Sequence, residues 1–436
     1  MARVFDRWYG TTLRAKLARP YVHLIFGARQ TGKSTLLRAL LPAPSLVMDL
    51  SDPRERTALS SSPGAFTDAC LALPRRRTPH VVLVDEAQAV PEVFDAVQYL
   101  YDLDRTRWRF VLCGSSARRL RASGVNLLPG RSFLHRLYPL TLTEQPFVPP
   151  STGAVREGDP LAAYMTGSPK SRTPLVTPVR LPWPRSTRPP VCFPSWSLDE
   201  RLAFGSLPGV VAAAKRDRAD ALAAYAAVHL EEEIRREATV RDWGAFVRFL
   251  QFAALESGGV LNYAGISQEV GVSQPTIKSY YQLLEDMFIG FRVPAWTRSA
   301  RKNVLSTPKF LFFDLGVRNA AAGLRISTDI VPVNPGALFE QWVGIELWKR
   351  LGYLGGTLSY QRTHDGAEVD FVVQLEGKLT PIEVKYTERP TMSDARHLMT
   401  FLAENPSAAA HGYIICRCAR PLRLHDRITA LPWHLL

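Results

Sequence analysis

The run Gly27-Ala28-Arg29-Gln30-Thr31-Gly32-Lys33-Ser34-Thr35 has the residue types and spacing that hold a nucleotide's phosphates. It fits G-x-x-x-x-G-K-[ST] and lies directly after an apolar strand-like run and directly before a helix-like one, the context the motif requires. The glycines let backbone N–H groups wrap the phosphates at a helix N-terminus. Lys33 is expected to reach the β- and γ-phosphates, and the Ser34 hydroxyl to ligate Mg²⁺. A second signal is Val81-Val82-Leu83-Val84-Asp85-Glu86, a continuous apolar run of the kind buried in a parallel sheet, ending in two adjacent carboxylates. Ligand chemistry collects at such strand ends. Asp85 is expected to hold the Mg²⁺ shell and Glu86 to polarise the attacking water; without a cation the two acids would be costly neighbours. Together the two signals predict binding of ATP with Mg²⁺. Ser115, after the apolar run Trp108–Cys113, would either sense the γ-phosphate or cap the following helix. Arg131 would either serve a neighbouring subunit as an arginine finger or stand as a plain surface arginine.

Near the other end, Glu376-Gly377 makes a two-residue hairpin turn, which sets Asp370 directly across from Glu383. Their Cβ atoms should be roughly 5 Å apart. Lys385 follows two residues later and emerges on the same face, while Val369, Phe371, Ile382 and Val384 pair on the other as core. Two carboxylates side by side repel unless a cation or proton separates them. Oxygen-rich ligation of Mg²⁺ is therefore the expected chemistry. The alternative is an acid–base pair of the kind common on exposed hairpins, worth little energetically.

Between these constellations, residues 262–286 read as a helix-turn-helix. A short helix around Ile266–Val270 meets a turn at Gly271, and a second helix opens with Ser273 as cap and Pro275 in its first turn. Ile277, Tyr280, Tyr281 and Leu284 share the core face, leaving Gln274, Thr276, Lys278 and Ser279 free to meet a DNA groove. Phe288–Pro294 and Lys309–Asp314 read as two strands enclosing a loop. From Gly290 to Phe313 there are basic residues at Arg292, Arg298, Arg301, Lys302 and Lys309 and no acid, which predicts a basic wing for phosphate contacts. Winged helices also serve as protein-binding modules.

The elements that must position these residues follow from the pattern. Residues 1–145 alternate apolar runs (Tyr21–Phe26, Ser45–Leu50, His80–Asp85, Trp108–Cys113) with helical stretches, which predicts a mostly parallel sheet wrapped by helices. Residues 146–198 form a basic, proline-rich insertion or linker, 199–325 a helical segment with the winged helix-turn-helix, and 326–436 a last α/β unit. With 436 residues, 46% hydrophobic and 22% charged, the chain has ample core and is not a disordered one. Lys and Arg outnumber Asp and Glu by 54 to 40, mostly in the first half, a balance that favours polyanions. Five scattered cysteines suit neither a disulfide framework nor a four-cysteine zinc site. The sequence offers no stretch of bilayer-spanning length and no secretion signal, so a soluble, cytoplasmic protein without a membrane partner is expected.

GARQTGKS, VVLVDEAQ, CGSSARRL and PGRSFLHRLYPLTLTE, with GSLPGV, PKFLFFDLGVRNA, ALFEQWVGIEL, GAEVDFVV and IEVKYT in the second half, resemble a large prokaryotic family of AAA+-like P-loop ATPases. Its members carry a C-terminal domain long catalogued as uncharacterised. The resemblance covers nearly everything except residues 146–194. It implies ATP-dependent work on duplex or branched DNA, or on complexes bound to it, by a homo-oligomer such as a hexamer. Asp…Glu-x-Lys on a hairpin, after a helix carrying Glu340, resembles the PD-(D/E)xK nuclease fold. By that resemblance Asp370 and Glu383 hold Mg²⁺, Glu340 adds an outer ligand and Lys385 orients or helps deprotonate the water. The expected fold class is α/β: a parallel-sheet AAA+-like P-loop domain, a helical and winged-helix middle, and a restriction-endonuclease-like C-terminal domain. The expected function is an ATPase that remodels or processes DNA, with a Mg²⁺-dependent nuclease-like domain. The alternative is an ATP-dependent signalling or defence switch whose last domains dock proteins or bind DNA without cutting.

Overall fold

The computed structural model describes residues 5–41, 43–62, 64–116, 130–148, 192–230, 234–235, 240, 242–297, 307–362 and 367–436. Its first third is a five-stranded parallel sheet: β1 (Val22–Phe26), β2 (Leu46–Asp49), β3 (His80–Asp85), β4 (Trp108–Gly114) and β5 (Ser132–Arg136), in the order β2-β3-β4-β1-β5. The first four are the expected apolar runs. All five residues of β1 are buried, as a central parallel strand with both faces covered requires. Leu24 and Phe26 join one core with Val82, Val84 and Phe94; Ile25 joins Leu13, Leu37 and Val111 on the opposite face. The expected helix after β4 and most of the proline-rich segment (149–191) lie outside the described residues.

In the middle of the chain, helices Tyr263–Val270 and Gln274–Asp286 flank Gly271, whose φ of 78° makes the turn. Ser273 caps the second helix by accepting the Thr276 N–H at 3.3 Å, and Ile277, Tyr280, Tyr281 and Leu284 are buried as expected. Strands β6 (Gly290–Val293) and β7 (Lys309–Phe312) pair antiparallel. Several expected DNA contacts are placed differently. Gln274 and Lys278 are exposed, but Thr276 is half-buried and shares a 2.8 Å hydrogen bond with the Ser273 hydroxyl, so it belongs to the cap. Arg292 is ion-paired with Glu285, and Lys309 is buried in the last domain. Arg298, Arg301 and Lys302 lie outside the described residues.

The last unit is a six-stranded mixed sheet, β8 (Thr357–Arg362), β9 (Glu368–Leu375), β10 (Lys378–Val384), β11 (Gly412–Cys416), β12 (Leu422–His425) and β13 (Ile428–Pro432), ordered β12-β13-β11-β10-β9-β8. The β12–β13 hairpin extends it beyond the strands expected from the sequence. The long helix Pro335–Leu354 packs on it close enough that a Cβ on Gly344 would stand 2.6 Å from the Phe371 ring. That helix also joins the last unit to the first. Glu346 accepts the Leu142 N–H at 2.8 Å while pairing with Lys349 and Arg350, all buried. Lys349 donates to the Leu140 carbonyl, and Tyr138 lies so close to Gly352 that a Cβ there would meet its hydroxyl at 2.1 Å. Among the described residues no helix is long and apolar enough to cross a membrane.

Burial alone would raise the Glu346 carboxyl, but Lys349 and Arg350 outweigh it and hold it at about 2, against 4.5 for a free glutamate. Removing its charge strands two buried cations. Glu346→Gln is therefore expected to lose about 3 kcal/mol of stability near neutral pH in urea denaturation. Because the folded pKa is depressed, this contribution is fully present above about 4.5 and is lost as pH falls toward about 2. The difference between the two proteins should shrink across that window, and a pH-independent gap would contradict the account.

Candidate functional site

Gly27–Gly32 leave the C-terminal end of β1 and turn into helix Lys33–Leu40. The tightness of this turn explains its glycines. A Cβ at Gly27 would stand 2.2 Å from the Leu137 carbonyl, and Gly32 has φ 88°. Gln30 also lies at positive φ (59°) and is exposed with Thr35, while Ala28 and Thr31 are buried and Arg29 half-buried. The Lys33 ammonium is buried and donates to the Gly27 and Ala28 carbonyls at 2.8 and 2.9 Å, so it already lies inside the curl of the loop. Arg7 holds the loop from behind. Its guanidinium donates to the Thr31 and Tyr138 carbonyls at 2.6 and 2.7 Å and pairs with buried Glu144 at 2.6 Å. Burial works against that charge, but Glu144 more than compensates and raises the Arg7 pKa.

Ser34 and Asp85 line one cleft of about 190 Å³ with Asp49, which neighbours Asp85 across β2 and β3. Asp85 is buried and bonded to the Cys113 thiol, which burial pushes well above its ordinary range. Glu86 stands at φ 53°, and its carboxylate accepts hydrogen bonds from Gln88 and, at 3.2 Å, from Ser115. Ser115 also accepts from Gln88 at 3.1 Å. Ser115 thus sits beside Glu86, between the strand that leads into the loop and the strand that ends in the acids. Gln88 escaped the sequence reading; its signal was its position two residues after Glu86, with Gly114 left bare to make room. A Cβ at Gly114 would lie 2.5 Å from Gln88 Oε1. Arg7 gave no local signal at all. Arg131 lies just before β5, at the end of the sheet opposite the loop, and pairs with Asp102 at 2.8 Å, so it does not reach the nucleotide site of its own chain.

In the last domain the hairpin has the expected register, with Leu375 opposite Lys378 and Phe371 opposite Ile382. Glu376 and Gly377 both take positive φ at its turn. Asp370 accepts the Val384 N–H at 2.7 Å, and Glu383 pairs with Lys385 at 2.7 Å. Glu340 lies near enough for its charge to act on both acids, but its carboxylate is paired with the Lys309 ammonium at 3.0 Å, which also lies 2.6 Å from Glu368. Burial first, then the Glu383 and Glu340 charges, push the Asp370 carboxyl well above its ordinary range; burial also raises Glu383, against the pull of Lys385. Among the described residues no three His, Cys, Asp or Glu side chains stand together so as to hold a metal ion.

Residues 19–145 match the family described as "AAA domain". The chain carries an AAA-like ATPase domain. Residues 195–328 and 335–436 of this ATPase match two further families, both described as domains of unknown function (DUF8612 and DUF4143). Uncharacterized proteins of Mycobacterium tuberculosis (Rv2008c) and Mycobacterium bovis (Mb2031c) are each 26% identical over 385 residues, 87% of this chain and 74% of theirs. The crystal structure of protein VC1899 from Vibrio cholerae aligns over 92% of this chain and 90% of its own at 13% identity, with a TM-score of 0.17.

In the AAA-like domain, Lys33→Ala should abolish binding of a fluorescent ATP analogue, and unchanged hydrolysis would remove the phosphate-loop assignment. Glu86→Gln should keep nucleotide binding while lowering kcat by about 10²- to 10⁴-fold, the usual contribution of a positioned base. A near-normal kcat would exclude Glu86 from that role.

Proposed function

We propose that this protein hydrolyses ATP with Mg²⁺ and uses turnover to remodel DNA held by its second half. In this reading residues 262–312 are a winged helix and the last domain is a PD-(D/E)xK-like fold that grips DNA. The observation that carries it is the shared helix Pro335–Leu354: Glu340 points at the acid cluster of the last domain, and Glu346 to Tyr353 bond the AAA-like domain beside its phosphate loop. Glu346 lies six positions after Glu340, about 9 Å along one helix, short enough for a displacement at one end to be felt at the other.

At the nucleotide, Lys33 exchanges the Gly27 and Ala28 carbonyls for phosphate oxygens. Ser34 and Asp85, which line the same cleft, are the residues that would hold Mg²⁺, whose charge neutralises the phosphate oxygens when bound. Glu86 orients and deprotonates the attacking water, with Gln88 and Ser115 fixing its carboxylate. Assembly into a homo-oligomer, a hexamer being the simplest ring, belongs to this reading; Arg131, tied to Asp102, does not support a finger role in it.

A second reading, an ATP-driven switch that docks a protein partner, is favoured by one observation. Arg292 and Lys309, two of the basic residues assigned to the wing, are spent on Glu285, Glu340 and Glu368 within the chain. The two readings part in solution. DNA remodelling predicts that duplex or four-way junction DNA raises ATP turnover several-fold and that DNA affinity falls steeply with salt. Turnover indifferent to every DNA tested, or a flat salt response, would favour the switch.

A further inference from the structure

Lys309 opens β7 and is fixed on both sides. Its backbone pairs with Val293 across the hairpin and bridges to Val260, and the neighbouring Pro308 carbonyl accepts the Leu261 N–H at 3.0 Å. From there the side chain runs under the Tyr360 ring, 5.2 Å from its centroid, into the acids of the last domain. Only 4% of Lys309 is exposed, and its ammonium contacts Glu340 at 3.0 Å and Glu368 at 2.6 Å while facing the charge of Asp370. One oxygen of each carboxylate that a divalent ion would use is engaged within the chain. Glu340 Oε1 bonds Lys309, Glu383 Oε1 bonds Lys385 and Asp370 Oδ2 bonds the Val384 N–H; Glu383 Oε2 alone of these is buried without a donor. With Glu340 paired to Lys309, no three carboxylates among the described residues stand together so as to hold an ion, so the residues present do not fit the three-carboxylate Mg²⁺ site that the nuclease resemblance implies.

We propose that Lys309, by pairing with Glu340 and Glu368, withholds from a divalent ion the carboxylate that the nuclease resemblance would add to Asp370 and Glu383. The physical case is one of competition. A buried acid cluster needs positive charge inside it. Mg²⁺ would have to shed water and find near-octahedral oxygen geometry. A lysine carried in on a neighbouring hairpin brings three donors whose desolvation is met by folding itself. Glu340 and Glu368 are then counter-ions of Lys309 and not metal ligands. The proposal deepens the reading of the last domain as a gripping and non-cutting fold, resting on it only for the likeness to a nuclease. Its test reads metal binding and needs no DNA, so the two can fail separately.

The test is Mn²⁺ titration followed by electron paramagnetic resonance, on the full chain carrying Lys33→Ala and without nucleotide, so that the phosphate loop contributes nothing specific. This protein should show no Mn²⁺ binding that Asp370→Asn removes. Adding Lys309→Met should create one site at least tenfold tighter than any background, and Asp370→Asn should abolish it. Lys309→Arg keeps the charge and should behave as the parent. Asp370-dependent Mn²⁺ binding by the parent would overturn the proposal outright, an arm that requires no substitution at Lys309. A folded Lys309→Met, checked by circular dichroism, that gains no site would overturn it too. If Lys309→Met does not fold, Lys309→Gln takes its place under the same criteria.

Discussion

The buried pair between Arg7 and Glu144 organises the nucleotide end of the molecule. Each partner would be prohibitively costly alone in that interior, and each is fully engaged: Glu144 accepts from Arg7, the Trp8 N–H, the Thr141 N–H and the Thr141 hydroxyl, while Arg7 donates to Glu144 and to the Thr31 and Tyr138 carbonyls. A phosphate loop works only if its backbone N–H groups are held ready for the ligand. Here the loop's Thr31 carbonyl is gripped by a side chain from the start of the chain, which is in turn gripped by one 137 residues later.

From Glu144 the bonding continues outward. The turn it stabilises presents the Leu142 N–H to Glu346, and Glu346 belongs to the same helix as Glu340. A path of hydrogen bonds and one rigid helix therefore runs from the phosphate loop to the acids of the last domain. The Arg136 guanidinium reinforces the junction between all three parts, lying 4.7 Å from both the Phe288 and Trp348 ring centroids and 5.2 Å from that of Tyr138. Phe288 takes φ 60° to reach it, a strained backbone for a phenylalanine. Such contacts make the AAA-like domain and the second half mechanically continuous, a requirement of any device in which hydrolysis at one end alters binding at the other.

The C-terminal acids illustrate how the same residue types can be put to different electrostatic ends. Asp370, Glu383 and Lys385 stand where hairpin geometry placed them, yet the neighbouring acids Glu340 and Glu368 are drawn to Lys309, contributed by a strand some sixty residues earlier in the chain. Lys309 pairs with Glu340 and Glu368 and Lys385 with Glu383, while Glu383 Oε2 stays buried without a donor.

The amino-acid order by itself determined whatever depends on neighbours along the chain. The loop at 27–34, the apolar strand ending in Asp85 and Glu86, the Ser273 cap and the Glu376–Gly377 turn with its register all follow from short-range stereochemistry and period-two alternation, which a local window contains. What only the tertiary structure decided depends on groups brought together from far apart. Arg7 behind the loop carries no local signature, and the partners that Ser115, Arg131 and Lys309 take, Glu86, Asp102 and the pair Glu340 and Glu368, are not written in the residues around them. A long, flexible, charged side chain can satisfy its charge in water or inside the fold, and which it does is set by where the folded backbone delivers it.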